Sequence, residues 1–423
     1  LISGFTYAQN EITLEEIVVT AQKRAENLQS TPIAVSAFTA TTLENKGIDN
    51  ISELANFTPN LVFDTTSPVS GLSSGAVVFI RGVGNTDFSL TTDPGVGSYV
   101  DGVYVSRSAG GVLDVLDIER IEVLRGPQGT LFGRNTIGGA ISITSRKPAE
   151  ELQGAVEVTV GDFSRFDVRA SIDVPFSEKF RSNFALSSKT RDGFIDRVLV
   201  GDELGDEDKL AFRANLVYEA SDQLDFQLSY DRTDIDEASA GSQIVGFTPG
   251  AGTIGYGLAT FGNIPDGLAD LAQYVTKPGD DISFGTGVSG TDLKIDGLAF
   301  TVNWHGEAWN LKYIGAYRET SGSFNRDPDN SPVALTETLN PDYDHEQTSH
   351  ELQITGDMAD GKLQYVAGLY SFNEEGTDNV FVPVFLPAAD LSFGFPAAIR
   401  NFADVDNSSE AVYAQINWNV SDT

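Results

Sequence analysis

Phe166-Asp167-Val168-Arg169-Ala170-Ser171-Ile172-Asp173-Val174 alternates apolar and polar residues without a break. Successive side chains of an extended chain point to opposite sides, so this stretch predicts a strand with one greasy and one wet face. The pattern recurs in Phe212-Arg213-Ala214-Asn215-Leu216, in Leu224-Asp225-Phe226-Gln227-Leu228-Ser229-Tyr230 and over Leu298 to Trp304. Matched against the same template, the chain beyond residue 154 holds about ten such segments, near 155, 166, 182, 211, 225, 298, 311, 350, 364 and 411. The apolar face meets either a protein core or lipid.

The connections choose between these. Short polar turns fall at Pro175–Lys179, Ala220–Gln223, His305–Ala308 and Gly356–Lys362, whereas the alternate connections are long, as over 236–293 and 375–408. An outer-membrane barrel puts short turns at its periplasmic rim and long loops outside, while a sandwich has no reason to gather its long loops at one end. Tyr218, Tyr230, Trp304, Tyr317 and Trp418 stand near segment ends, where an interfacial aromatic girdle belongs. Residues 151–423 are therefore predicted to form an antiparallel transmembrane β-barrel.

Composition excludes several classes. The 423 residues carry 27 Lys and Arg against 61 Asp and Glu, a net charge of −34. Phosphate binding needs a basic surface, so nucleic acid is not an expected partner. With 0 Cys there is neither a disulfide nor a thiolate site. No apolar run approaches the ~18–20 residues of a membrane-spanning helix, which leaves a soluble protein or a transmembrane β-barrel. His345 and His350 are spaced poorly for one metal, and His305 stands apart. No G-x-S-x-G nucleophile motif occurs, and the acidic clusters Asp231–Glu237, Asp327–Asn330 and Asp404–Asn407 do not fit a calcium loop. No catalytic residue, metal or cofactor is expected.

The first part of the chain reads differently. Residues 1–9 end in Thr6-Tyr7-Ala8, close to a signal-peptidase pattern, and are read as a signal remnant. Residues 10–30 form a polar leader around Ile17-Val18-Val19. Residues 31–150 predict a compact α+β domain. Asn50 with Glu53 gives a capping pair before a short helix. Val77–Ile80, Arg120–Leu124 and Ala140–Thr144 are predicted strands, and Tyr99-Val100-Asp101-Gly102-Val103-Tyr104 is a hairpin with a type I′ turn. Gly126, Gly129, Gly133, Gly138 and Gly139 crowd one segment, which suits tight turns and close backbone approach. A phosphate-cradling loop fails on detail, because Gln128 stands where the first glycine belongs and Arg134 where lysine belongs.

That glycine-rich segment, Asp117-Ile118-Glu119-Arg120-Ile121-Glu122-Val123-Leu124-Arg125-Gly126-Pro127-Gln128-Gly129-Thr130-Leu131-Phe132-Gly133-Arg134-Asn135-Thr136-Ile137-Gly138-Gly139-Ala140-Ile141, resembles the plug signature of TonB-dependent outer-membrane receptors. Phe79-Ile80-Arg81-Gly82 and Tyr99–Tyr104 resemble further plug segments, in the family's order. Glu16-Ile17-Val18-Val19-Thr20-Ala21 resembles the TonB box, a β-prone stretch suited to strand addition on another protein's sheet edge.

The resemblance implies a plug, 31–150, inside the barrel, in the outer membrane of a Gram-negative bacterium, with the N-terminal segment in the periplasm. A barrel that holds a plug needs about 22 strands, so the sequence is expected to lack roughly half its wall. The resemblance also implies TonB-driven uptake of a scarce nutrient, most often a ferric siderophore complex. Cobalamin, haem and oligosaccharides are the family's other cargoes, and a passive porin or surface adhesin is the alternative class. Expected partners are TonB, the ferric chelate or another nutrient, and outer-membrane lipid.

Arg81 and Arg125 map onto the arginines that the family pairs with barrel-wall glutamates. By alternation Glu351 shares the lumen-facing set with Gln353 and is the candidate partner. Outward plug loops are expected near 64–76, 84–95 and 105–111. In or beside them Asn85, Asp87, Phe88, Tyr104 and Arg107 are the candidate ligand contacts.

Overall fold

The computed structural model describes residues 18–29, 31–65, 70–86, 88–109, 111, 117–246, 272–277, 279–332, 336–358, 362–387 and 394–418. The signal remnant, Glu16, Ile17 and Asp87 lie outside them.

The first part of the chain builds one compact domain. It holds β1 (Val18–Val19), β2 (Glu26–Asn27), β3 (Val35–Thr39), α1 (Ala40–Lys46), β4 (Leu61–Asp64), β5 (Val77–Ile80), β6 (Val83–Gly84), β7 (Val96–Val100), β8 (Val103–Val105), β9 (Ile118–Arg125), α2 (Gly129–Phe132) and β10 (Gly139–Ser145). The main sheet runs β3-β9-β10-β7-β8, with β10 parallel to β7 and the other pairs antiparallel. Phe38, Ile51, Leu54, Ile80, Ile121, Val123 and Ile141 bury their side chains between this sheet, the helices and the small sheet β4-β5-β6.

Local signals decide the turns. Asp101 and Gly102 both take left-handed φ, 51° and 87°, as a type I′ hairpin requires. Asn50 and Glu53 close a capping box, but the turn they start, Ile51–Asn56, is a 3-10 helix rather than an α-helix.

The wall follows as ten consecutive antiparallel strands: β11 (Gln153–Val160), β12 (Phe166–Ser177), β13 (Phe180–Arg191), β16 (Glu207–Ser221), β17 (Leu224–Glu237), β19 (Gly290–His305), β20 (Trp309–Arg326), β21 (Thr338–Met358), β22 (Leu363–Pro387) and β23 (Gly394–Trp418). Three short strands, β14 (Ile195–Arg197), β15 (Asp202–Leu204) and β18 (Ile282–Ser283), form a separate sheet on the long connections.

The wall is polar inside and apolar outside. On β21 Gln347, Ser349, Glu351 and Gln353 are buried, while Leu352 between them is exposed. Val156, Ile172, Leu298, Leu369, Val412 and Ile416 also show their side chains to the outside. No second protein layer among the described residues covers that face, so lipid is the environment that suits it. Trp304 packs at a tilt against Trp309 and Phe176 stacks on Phe180 at the rim of short turns, and Trp418 is exposed at the end of β23.

One expected loop is corrected. Residues 375–387 and 394–408 do not leave the wall; they continue as the paired upper halves of β22 and β23, in register from Glu375↔Asp406 to Pro387↔Gly394. The segment reads as a loop because of its acidic and proline content. Inward Phe372, Glu374, Asp378 and Val380 nevertheless keep the two-residue period beyond the membrane band.

Candidate functional site

The plug lies against the wall's lumenal face through two polar clusters on neighbouring parts of β21 and β22. The lower one begins at the β-prone leader. Val18 and Val19 pair antiparallel with Asn27 and Glu26, and the Thr20 N–H donates to Glu122 at 2.7 Å. Val19 and Ala21 are buried with Tyr99, Tyr104, Leu124 and wall residue Phe372. Lys23 then turns the chain with a left-handed φ of 59°. Its ammonium reaches both oxygens of Glu351, at 3.1 and 3.2 Å, over the ring of Phe132. The Tyr413 hydroxyl donates to the same carboxylate at 2.6 Å.

This corrects the expected ion pairs. Glu351 is lumenal and binds the plug, but its partner is Lys23, not Arg81 or Arg125. Arg81 is exposed with a φ of 54°, and Arg125 has a buried Nε without a hydrogen-bond partner. Neither makes an ion pair among the described residues. The reason is packing: the β1–β2 turn lies against Tyr370 and Phe372, and Tyr370 sits directly opposite Glu351 in the sheet.

The upper cluster centres on Glu374, whose side chain is fully buried. Arg107 donates to it twice, from Nη2 at 2.5 Å and Nε at 3.1 Å. His345 and Asn407 add contacts at 3.2 and 3.1 Å. Beside it the Ser106 backbone and hydroxyl donate to Gln347, whose amide donates to the Tyr104 carbonyl at 2.6 Å. Higher still, the Leu90 N–H donates to Asp378.

Three candidate ligand contacts are thereby spent on the protein itself. Arg107 is 5% exposed and neutralises Glu374. Phe88 packs edge-on against wall residue Phe324, with ring centroids 5.2 Å apart. Tyr104 is buried, accepts from the Asn135 amide at 2.9 Å, and has its hydroxyl pKa raised by that burial. Short hydrophilic-looking loops hide them because their neighbours come from strands hundreds of residues away. Asn85 remains half-exposed and donates weakly to the Asp93 carbonyl. The reading also missed Lys23 and Glu374, and the Arg134–Asp93 ion pair at 2.9 Å beside Glu374. Lys23 stands two residues beyond the TonB-box stretch, and alternation across Glu374-Glu375 must turn one of the two inward. Among the described residues no group of His, Asp and Glu is placed to hold a metal.

Gly138 and Gly139 fasten the plug sheet. A Cβ on Gly138 would sit 2.7 Å from the Val83 carbonyl oxygen, and one on Gly139, at φ 153°, would overlap the carbonyl of Leu124.

A folded domain seated by ion pairs on the polar face of an antiparallel sheet whose other face is apolar is the architecture of a plugged outer-membrane barrel. Residues 27–140 match the family described as TonB-dependent Receptor Plug Domain. The chain is 30% identical over 192 residues to the pesticin receptor of Yersinia pestis, 45% of this chain and 25% of that one. It is 28% identical over 203 residues to the ferrioxamine B receptor of Salmonella typhimurium, 45% of this chain and 28% of that one. The fold matches the ferric yersiniabactin uptake receptor of Yersinia pestis with a TM-score of 0.70 at 19% identity, covering 92% of this chain and 54% of that one. The match spans about a quarter of each curated relative's length. Residues 27–140 are thus similar to that plug domain, and the chain as a whole has the fold of such receptors.

Proposed function

We propose that this protein takes up a scarce nutrient across the outer membrane, with a ferric siderophore complex as the cargo and TonB as the periplasmic partner. The observation that carries the reading is the coupling of the leader to the wall: Val18–Val19 forms a strand edge, and Lys23, a few residues on, is ion-paired to Glu351. A partner that adds a strand to residues 16–21 and pulls acts directly on that ion pair. The relatives named for pesticin and ferrioxamine B support an iron-chelate cargo. Arg81 and Arg125 are proposed to serve the plug signature as backbone-shaping positions beside Gly82 and Gly126, both of which take positive φ. Asn85 is the residue proposed here to face the ligand.

Deletion of residues 16–21 tests this in cells starved of iron and supplied with radiolabelled ferric siderophores. Surface binding is expected to persist while uptake is lost. Uptake that survives the deletion overturns energy coupling and favours a passive pore.

A further inference from the structure

The wall is not smooth on its lipid side. A groove of about 480 Å³ crosses β20–β23, lined by apolar Leu352, Leu369 and Val412 and by polar His350, Ser371 and Glu410. These side chains belong to the outward set of the two-residue period: Leu352 is 38%, Leu369 54% and Val412 81% exposed.

The groove has two chemically different levels. His350, Ser371 and Glu410 are directly opposite one another on β21, β22 and β23. Each stands eight residues along its strand from the row Met358, Leu363 and Trp418 at the short-turn rim. With strands rising about 3.4 Å per residue at a tilt of about 40°, that is on the order of 20 Å across the membrane, near the outer edge of an apolar band about 25 Å tall. One step closer to the rim come Leu352, Leu369 and Val412, and then Ile354, Ala367 and Ala414. The small Ala367 and Ala414 keep that end of the floor low, as an acyl chain requires.

The polar level is held in place and left open. Tyr313 stacks its ring on His350, and its hydroxyl lies 2.9 Å from Nδ1. His350 Nε2, the Ser371 hydroxyl and the Glu410 carboxylate have no hydrogen-bond or ionic partner among the described residues. Charge then selects a headgroup. The sole Lys or Arg in β21, β22 and β23 is Arg400, ten residues beyond Glu410 and opposite Phe381. Glu346, Glu375 and Asp406 stand two steps above the groove instead. A purely anionic headgroup would meet these carboxylates and no cation, whereas an ammonium finds Glu410 free to pair.

We propose that this groove holds one outer-leaflet lipid whose headgroup carries an ammonium, its chain on Leu352, Leu369 and Val412, its ammonium on Glu410 and its other polar groups on His350 and Ser371. The site faces away from the lumen, so it is read without transport or cargo. The receptor is to be reconstituted in vesicles of equal parts phosphatidylethanolamine and phosphatidylglycerol and extracted in mild detergent. Native mass spectrometry then counts the lipid it retains. One phosphatidylethanolamine per receptor is expected, favoured over phosphatidylglycerol by about fivefold, the upper end of what one partly exposed ion pair supplies. Glu410→Gln is expected to bring the two lipids to parity. Ala367→Trp, which fills the floor, is expected to remove both, and Glu346→Gln, above the groove, to keep the preference. Equal retention by the unaltered receptor, or a preference that survives Glu410→Gln, overturns the site and leaves bulk lipid on an apolar wall. Undiminished retention in Ala367→Trp places the lipid elsewhere, and a preference lost equally in Glu346→Gln reduces it to general acidity; either result also overturns the site. All three substitutions lie on the outward face, and heat-modifiable migration in gels checks that each variant is folded.

Discussion

The Lys23 ammonium lies 3.1 Å from the Glu351 carboxylate, joining the first turn of the plug to β21 across 328 residues of sequence. Both side chains are almost out of solvent, at 10% and 6% exposure. Removing one partner of such a pair leaves the other buried and uncompensated, at a cost of about 3–5 kcal/mol. Lys23→Ala is therefore expected to free the leader: amide exchange over residues 18–27 rises while exchange in β9 and β10 stays slow. The double variant Lys23→Ala with Glu351→Gln is expected to be milder than the sum of the singles. Additive losses would show that the two groups do not depend on each other.

Arg107 differs from a ligand contact in what its loss does. Glu374 keeps only His345, Asn407 and a more distant Arg134, at 3.6 Å, when Arg107 is cut to alanine. The expected result is a plug loosened by about 3–5 kcal/mol with or without ligand, read by denaturant unfolding or proteolysis of residues 88–109. Asn85→Ala is expected to leave stability within about 0.5 kcal/mol while weakening ligand binding. The reverse assignment follows if Arg107→Ala unfolds normally and only binding suffers.

Outside the barrel, Asp296, Glu319, Glu346, Glu375 and Asp406 are directly opposite one another across five strands. Tyr317 relieves part of this with its one hydroxyl proton, which reaches Glu346 at 2.8 Å or Glu319 at 3.1 Å. Glu375 has carboxylates on both sides and no such donor among the hydrogen bonds described. Like charges directly opposite destabilise a sheet, by about 0.2–1 kcal/mol per pair. Glu375→Gln should thus raise the thermal midpoint at low salt, and the gain should shrink as ionic strength rises. A lower midpoint in dilute buffer would mean that the row is neutralised by something other than salt.

Much of the architecture is legible in local patterns and little of the site is. The wall strands are visible because lipid outside and a polar plug inside impose a two-residue period on every segment. Asp101-Gly102 and Asn50/Glu53 are visible because turn and cap chemistry act within a few residues. The contacts that seat the plug have no such signature: Arg107 and Glu374 are 267 residues apart, and nothing in either neighbourhood encodes the other. The same gap explains why Phe88 and Tyr104 read as exposed loop residues while packing against Phe324 and Phe372. Glu351 was placeable on the lumenal face by alternation, but alternation carries no information about which cation comes to meet it.

The Gly138-Gly139 pair offers a test of the plug independent of any charge. Gly139 opens β10 at φ 153°, pairs with Arg125 on one side and Val96 on the other, and faces the Leu124 carbonyl too closely for a side chain. That carbonyl belongs to β9, so it cannot move away without breaking the centre of the sheet. Gly139→Ala is expected to cost more than the ~1 kcal/mol of an ordinary glycine replacement, because both the φ and the space are wrong. Gly133→Ala, also at positive φ but with nothing within 4 Å of its Cβ position, isolates the φ contribution. Thermal unfolding of the two variants should rank Gly139→Ala well below Gly133→Ala. Equal midpoints would mean that the approach to Leu124 is relaxed by a small shift of β9, and that the plug sheet is softer than its geometry implies.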